Sequence, residues 1–105
     1  MRRVVVTGVG VVSSIGSNAA EVTEALKEGR SGITFAEDFA ELGFRCQVKA
    51  RPTLDFEAVL DRRTRRFMGE GAGWNYIAMQ EAIADARLAE DEISHPMTGI
   101  IMGSG

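Results

Sequence analysis

The sequence predicts an α/β fold with parallel strands. Two segments rich in β-branched residues, 2–12 and 98–102, have no polar face, which is typical of strands buried on both sides of a sheet. Stretches with helical periodicity lie between them, so the predicted order of elements is strand, helix, strand, helix, strand. The length of 105 residues falls within the range of a single domain.

The first predicted strand carries Gly8 and Gly10 within a run of valines. This pair resembles the start of a dinucleotide-binding fingerprint, which needs a third glycine three positions later and an acidic residue about 20 residues further on. Position 13 is Ser13, and residues 29–32 contain no acidic side chain. A small nucleotide-binding domain stays an alternative, but close packing of another backbone explains the two glycines better.

The first helix is predicted over residues 19–28. Asn18 precedes it with Glu21 three positions later, a variant of the capping box, and Gly29 can adopt the left-handed conformation that ends a helix. Three residues at helical spacing give its apolar face: Val22, Ala25 and Leu26.

The middle of the chain has weaker signals. Residues 30–43 predict a loop with a short helical turn, anchored by three apolar side chains: Phe35, Phe39 and Leu42. Residues 44–49 alternate weakly and come shortly before Pro52, which predicts a short strand. A short helix is predicted over residues 56–60.

A long helix is predicted from about Thr64 to Arg87, although it contains three glycines at positions 69, 71 and 73. Each glycine costs about 1 kcal/mol relative to alanine inside a helix, so we expect another helix or backbone to pack closely there. The apolar stripe of this helix consists of Met68, Ala72, Met79, Ile83 and Ala86. A loop at 93–96 then leads into the second buried strand.

The predicted elements do not cover both faces of a sheet. Two strong strands and one weak one, with helices on one side, would leave a large apolar surface exposed in a monomer. We therefore expect residues 1–105 to be an incomplete, N-terminal segment of a longer domain.

Composition narrows the classes of function. The net charge of -3 and the pI of about 5.1 argue against nucleic acid or an anionic membrane as a partner. No apolar run approaches the ~20 residues that span a bilayer, and no signal-peptide cleavage pattern follows the N-terminal valines. Together with the single cysteine, these features predict a cytoplasmic protein.

Cys46 and His95 are the side chains best suited by type to nucleophilic catalysis or metal binding. They lie far apart in sequence and have no metal-ligand spacing. Cys46 lies in the predicted short strand, away from a helix N-terminus or a histidine, so we interpret it as structural. His95 precedes Pro96 in a loop, and we interpret it as a surface residue.

A basic cluster, Arg62, Arg63, Arg65 and Arg66, interrupts an otherwise acidic chain. Like charges three or four residues apart in a helix cost a few tenths of a kcal/mol per pair, although Glu70 is a candidate partner for Arg66. The cluster is either a solvated face or a docking patch for an acidic partner. A non-catalytic module that binds an acidic helical partner is therefore one functional hypothesis.

Five segments of the chain occur in register with those of β-ketoacyl-acyl carrier protein synthases: VVVTGVGVVSSIG, EVTEALKEGRSGI, LDRRTRRFMGE, EAIADARL and GIIMGSG. The chain resembles the N-terminus of this family along essentially all 105 residues, and most of all its type I elongating members from bacterial fatty-acid synthesis. Relatives often have Ala-Gly-Leu at the end of the long helix, where this chain has Ala86, Arg87 and Leu88. We expect that difference to affect only the helix cap.

The resemblance implies a thiolase-like fold, in which two similar α/β halves stack as αβαβα layers in a homodimer. Residues 1–105 would supply the first part of the N-terminal half. The implied reaction is a decarboxylating Claisen condensation, in which an acyl group held on a cysteine is extended by malonyl-acyl carrier protein. The resemblance implies no cofactor of the enzyme's own, because the phosphopantetheine arrives on the acyl carrier protein.

The resemblance places no catalytic residue in this sequence. The nucleophilic cysteine of the family and its two histidines lie beyond Gly105, and neither Cys46 nor His95 occupies a corresponding position. The glycine-rich run that begins at Gly103, Ser104 and Gly105 borders the active-site region in relatives.

The basic cluster does carry over from the family. In type I relatives, basic residues contact the acidic recognition helix of the acyl carrier protein, and they match Arg62, Arg63 and Arg66. Arg65 extends the cluster without a role implied by the resemblance.

Overall fold

The computed structural model describes residues 1–103, so Ser104 and Gly105, and with them most of the predicted active-site border, lie outside the described residues. The helices are α1 Ala19–Lys27, α2 Glu37–Glu41, α3 Phe56–Val59, α4 Arg62–Arg65, α5 Glu70–Ala86 and α6 Glu90–Ile93. The strands are β1 Ile33–Phe35 and β2 Val48–Ala50. No helix among the described residues is long and apolar enough to cross a membrane.

The first helix forms as the sequence predicts. The side-chain oxygen of Asn18 accepts a hydrogen bond from the Glu21 backbone N–H at 2.9 Å, and the Glu21 carboxylate accepts one from the Ser17 N–H at 2.7 Å. Gly29 ends the helix with φ of 65°, a conformation that glycine adopts without steric cost. Ala25 is fully buried, whereas Leu26 of the predicted apolar face is exposed.

The two strands pair as an antiparallel hairpin around α2. Ile33 lies opposite Ala50, and Phe35 lies opposite Val48. The helical turn predicted within residues 30–43 corresponds to α2. The strand β1 was not predicted, because a pattern of three residues is too short to indicate a strand. The predicted second strand begins only at Val48, four residues later than expected.

The three apolar side chains predicted to anchor this region differ in their burial. The Phe39 ring packs edge-to-face on Phe44, with the centroids 5.3 Å apart. Phe35 and Leu42, which the sequence predicted as anchors, are instead exposed, at 61% and 72%.

The predicted parallel sheet is not formed among residues 1–103. The segments 2–12 and 98–102 lie outside any strand, and the described sheet is the antiparallel pair of β1 and β2. A strand needs a neighbour for its backbone N–H and C=O groups, and the described residues offer neither segment such a neighbour. Residues 1–103 by themselves therefore do not form the strands that the sequence predicts at these positions.

The predicted long helix is shorter and begins later. Thr64 belongs to α4, and α5 begins at Glu70 after Gly69, whose extended backbone (φ -77°, ψ 170°) interrupts the helix. Of the three glycines, Gly73 makes the predicted close contact, because a Cβ added there would lie 2.3 Å from the Phe56 ring. Apart from the chain neighbours and the backbone of the helix itself, no described atom lies within 4 Å of the corresponding position at Gly69 or at Gly71.

Arg87, where this chain differs from many relatives, is the residue that ends α5. Arg87 has φ of 56° and donates its backbone N–H to the carbonyl of Ala84. A non-glycine residue with this left-handed conformation is uncommon, and glycine adopts it at lower cost. The predicted loop at 93–96 begins one residue later, because Ile93 completes α6.

The described residues enclose almost no core. The buried apolar residues are Ala25, Ala36 and Phe56, and the accessible surface is 8804 Å², against about 5,800 Å² for a folded protein of this mass. The radius of gyration is 16.9 Å, against about 13 Å for a compact domain of this length. The valines at positions 4–6 and the isoleucines at 100–101 are largely exposed. Exposed apolar faces of this kind are typical of surfaces that pack against other protein.

Candidate functional site

The basic cluster lies on a single helical turn, α4, and on Arg66, which caps its C-terminal end; the start of the turn is set by Asp61. One carboxylate oxygen of Asp61 accepts hydrogen bonds from the backbone N–H groups of Arg63 at 2.9 Å and Thr64 at 3.0 Å. The other accepts the Thr64 hydroxyl at 2.6 Å. Because Asp61 satisfies the first free N–H groups, the turn can form in a segment with four positive charges.

The turn separates the four arginines into two groups. Arg62, Arg63 and Arg66, here called the arginine triad, are exposed and line a shared concavity of about 500 Å³. Arg65 is turned the other way, with 29% of its side chain exposed, and forms an ion pair with Glu57 of α3. The structure therefore brings together the three residues predicted to contact a partner and gives Arg65 the structural role of joining α4 to α3.

No member of the arginine triad forms an ion pair with another described residue. The sequence offered Glu70 as a partner of Arg66, but Glu70 pairs with Arg51, and the Arg51 guanidinium also lies 5.8 Å from the Trp74 ring centroid. Three uncompensated charges on one turn add little to folding stability and create a local positive potential on a chain of net charge -3. The arrangement suits electrostatic attraction of an acidic partner.

An aromatic side chain that the sequence analysis did not single out extends this surface. Phe67 directly follows the triad, is 90% exposed, and has the Arg66 guanidinium carbon 5.2 Å from its ring centroid. The available signal was a phenylalanine that directly follows two consecutive arginines, Arg65 and Arg66. Phe67 had not been distinguished from a core residue because sequence gives no side-chain direction for so short a turn.

Cys46 and His95 take no part in this site. Cys46 is a free, exposed thiol in the segment before β2, so the prediction that it lies within a strand is wrong. His95 is exposed as predicted, and its Nδ1 accepts a hydrogen bond from the Met97 N–H at 3.1 Å. Among the described residues, no group of three potential ligands could hold a metal ion.

The glycines of the N-terminal segment pack against a helix, as the sequence predicted. A Cβ on Gly8 would lie 2.3 Å from the Ala82 carbonyl oxygen, and one on Gly10 would lie 1.9 Å from that of Ala78. Because α5 occupies the space next to both glycines, a phosphate has no room there. The glycine pair therefore no longer supports the nucleotide-binding alternative. The alanines of α5 recur every fourth residue, a signal that could have identified the packing partner.

Two carboxylates of α5 fix the same segment by its backbone. The Val9 N–H donates to Asp85 at 3.0 Å and the Val11 N–H donates to Glu81 at 2.9 Å. Two residues of extended chain advance about 6.6 Å and four residues of helix advance about 6 Å, so the two spacings match. The second Glu81 oxygen accepts the Ala19 N–H at 2.8 Å. The segment and the start of α1 are thereby held to α5.

The Asp61 cap provides a test of the local electrostatics. The hydrogen bond from the Thr64 hydroxyl, followed by that from the Thr64 backbone, lowers the pKa of Asp61 below its ordinary value. Because the folded pKa is lowered, the stabilising contribution is complete above the ordinary aspartate pKa and is lost as the pH falls through the folded value. We expect an NMR titration of Asp61 to move to a higher midpoint in Thr64→Ala. Thr23→Ala, which removes a hydroxyl from α1, is the control and should leave it unchanged.

Comparison with known proteins gives a consistent result along the whole chain. Residues 1–105 match the family model described as Beta-ketoacyl synthase, N-terminal domain. The chain is 45% identical over 105 residues to 3-oxoacyl-(acyl-carrier-protein) synthase 1 of Haemophilus influenzae and 43% identical over 106 residues to the protein of that name from Escherichia coli. Both alignments cover 100% of this chain but 26% of the relative, so the chain spans about a quarter of their length.

Proposed function

Because this chain belongs to the β-ketoacyl synthase family, we propose that residues 1–105 supply the arginine-lined docking surface of a condensing enzyme that elongates acyl groups on acyl carrier protein. The observation that carries the proposal is the outward arginine triad, which has no ion-pair partner among the described residues. The relatives are named for an acyl-carrier-protein substrate, which supports the identity of the acidic partner.

The proposed reaction of the whole enzyme joins two carrier-bound groups. An enzyme cysteine takes the acyl group from its carrier as a thioester and releases the carrier's phosphopantetheine thiol. Malonyl-acyl carrier protein then loses CO2. The resulting carbanion attacks the thioester carbonyl, which gives 3-oxoacyl-acyl carrier protein and frees the cysteine thiolate. The catalytic cysteine and histidines are assigned to protein beyond Gly105, since Cys46 is exposed without a general base beside it and His95 bonds only to its own loop.

The layered thiolase-like fold is part of the same proposal. In it, the apolar segments 2–12 and 98–102 would become strands once further protein supplies their hydrogen-bonding neighbours. The exposure of their valines and isoleucines supports this assignment. Runs of β-branched apolar side chains gain free energy when they are buried and pack well in a sheet that is covered on both faces. The homodimer and the cytoplasmic location stay predictions.

Charge reversal of the triad tests the docking function. We expect the double variant Arg62→Glu and Arg66→Glu, in the natural polypeptide that carries residues 1–105, to weaken binding of a purified bacterial holo-acyl carrier protein at least about tenfold at low salt. The plot of log Kd against log salt concentration should also become shallower, since fewer charge pairs are screened. Titration calorimetry at three salt concentrations measures both effects.

Two controls separate a specific effect on docking from a general change in charge or stability. Arg45→Glu makes the same kind of charge change at an exposed arginine between α2 and β2, and its effect on Kd should stay below about twofold. The Tm of each variant should stay close to that of the parent, because the triad makes no ion pair in the described structure. Equal binding by the parent and the double variant, with the protein folded, would remove the triad from carrier recognition.

A further inference from the structure

The outward side of the α4 turn is not purely basic. Arg62, Arg63, Arg66 and Phe67 are all exposed, whereas Thr64, Arg65 and Met68 are half-buried. The exposed residues lie at relative positions 0, 1, 4 and 5, which share one side of a helical turn. The Phe67 ring, 90% exposed, therefore belongs to the same surface as the arginine triad.

The charges around Phe67 argue against its being covered by the enzyme's own core. The Arg66 guanidinium lies 5.2 Å from the ring centroid, and no described carboxylate pairs with it. Burying the ring in an apolar core would also remove this guanidinium from water without an anion, at a cost of several kcal/mol. A partner that brings both carboxylates and an apolar side chain meets the two requirements together.

We propose that Phe67 is the apolar contact of the docking surface and that the surface selects an acidic helix with an exposed apolar side chain beside its carboxylates. This inference rests on the proposed docking function and adds to it a specificity-determining residue. Carboxylates three or four residues apart on the partner helix would reach the triad, and an apolar side chain between them would cover the ring. Aromatic and arginine side chains are the residue types that carry most binding energy at interfaces.

The experiment separates apolar from charged recognition in one series. In the natural polypeptide that carries residues 1–105, we expect Phe67→Ala to weaken binding of holo-acyl carrier protein about tenfold at every salt concentration, with an unchanged salt slope. Phe67→Leu should retain most of the affinity, because it restores an apolar contact without the ring. Arg63→Ala should instead make the salt slope shallower. Phe35→Ala, at an exposed phenylalanine of β1, is the matched control and should bind like the parent.

Each other outcome overturns a specific part. Unchanged binding by Phe67→Ala, while the arginine variants bind weakly, would reject the role of Phe67 and leave the docking function in place. Unchanged binding by all variants would reject both. A large fall in Tm for Phe67→Ala and Phe67→Leu, without a change in Kd for the folded protein, would show that the ring is covered by the enzyme itself and would reject the inference.

Discussion

Gly10→Ala is expected to destabilise the protein by about 3 kcal/mol. The new Cβ would lie 1.9 Å from the Ala78 carbonyl oxygen and 2.6 Å from the Ala82 backbone nitrogen. These are backbone atoms of α5, so no side chain can turn away to relieve the contact. The N-terminal segment would have to move off the helix, which would also break the hydrogen bond from Val11 to Glu81.

Thermal and urea unfolding of the natural polypeptide that carries residues 1–105 measure this effect. Gly71→Ala is the matched control, because it adds the same methyl group inside α5 at a position where no described atom outside the neighbouring residues and the helix backbone lies within 4 Å. That change should be neutral or stabilise the protein by up to about 1 kcal/mol. A Gly10→Ala protein as stable as the Gly71→Ala protein would contradict the close contact between the segment and α5.

Glu81→Ala is expected to destabilise the protein by a similar amount, about 3 kcal/mol. The Glu81 carboxylate accepts the N–H groups of Val11 at 2.9 Å and Ala19 at 2.8 Å, and its removal leaves two half-buried donors without a partner. Glu81→Gln should destabilise the protein by about half as much, since an amide keeps one acceptor oxygen but loses the charge and the second acceptor.

The same unfolding measurements test this second prediction. Glu24→Ala removes a carboxylate of equal size from α1, where it forms only an exposed ion pair with Lys27 at 2.8 Å. Its effect should stay within about 0.5 kcal/mol. If Glu81→Ala and Glu24→Ala unfold at the same urea concentration, Glu81 does not hold the N-terminal segment in place.

Local features of the fold could be predicted because short-range interactions set them. Asn18 and Gly29 mark the ends of α1, as the sequence predicts. The short helix predicted over residues 56–60 is α3, and Asp55, which was not singled out, caps it by accepting hydrogen bonds from the Glu57 and Ala58 N–H groups. The contacts involved join residues that are only a few positions apart. The family could also be predicted, since its segments follow one another along the whole chain.

Long-range features could not be predicted in the same way. The pairing of β1 with β2 joins residues 13–17 positions apart through backbone groups that every residue carries, so the sequence gives no direct signal for it. The hydrogen bond from Val9 to Asp85 joins residues 76 positions apart. The two apolar segments were predicted as strands from their composition alone, whereas a strand also depends on a neighbour that composition does not name.

The arginine cluster shows most clearly what each level decides. Sequence by itself determined that four arginines lie together in an acidic chain, and the family resemblance proposed three of them for docking. Only the tertiary structure decided that Arg65 turns inward to Glu57, that the triad has no ion-pair partner among residues 1–103, and that Phe67 lies beside it. The physical reason is that sequence fixes the charges, whereas the direction of each side chain depends on what packs against the turn.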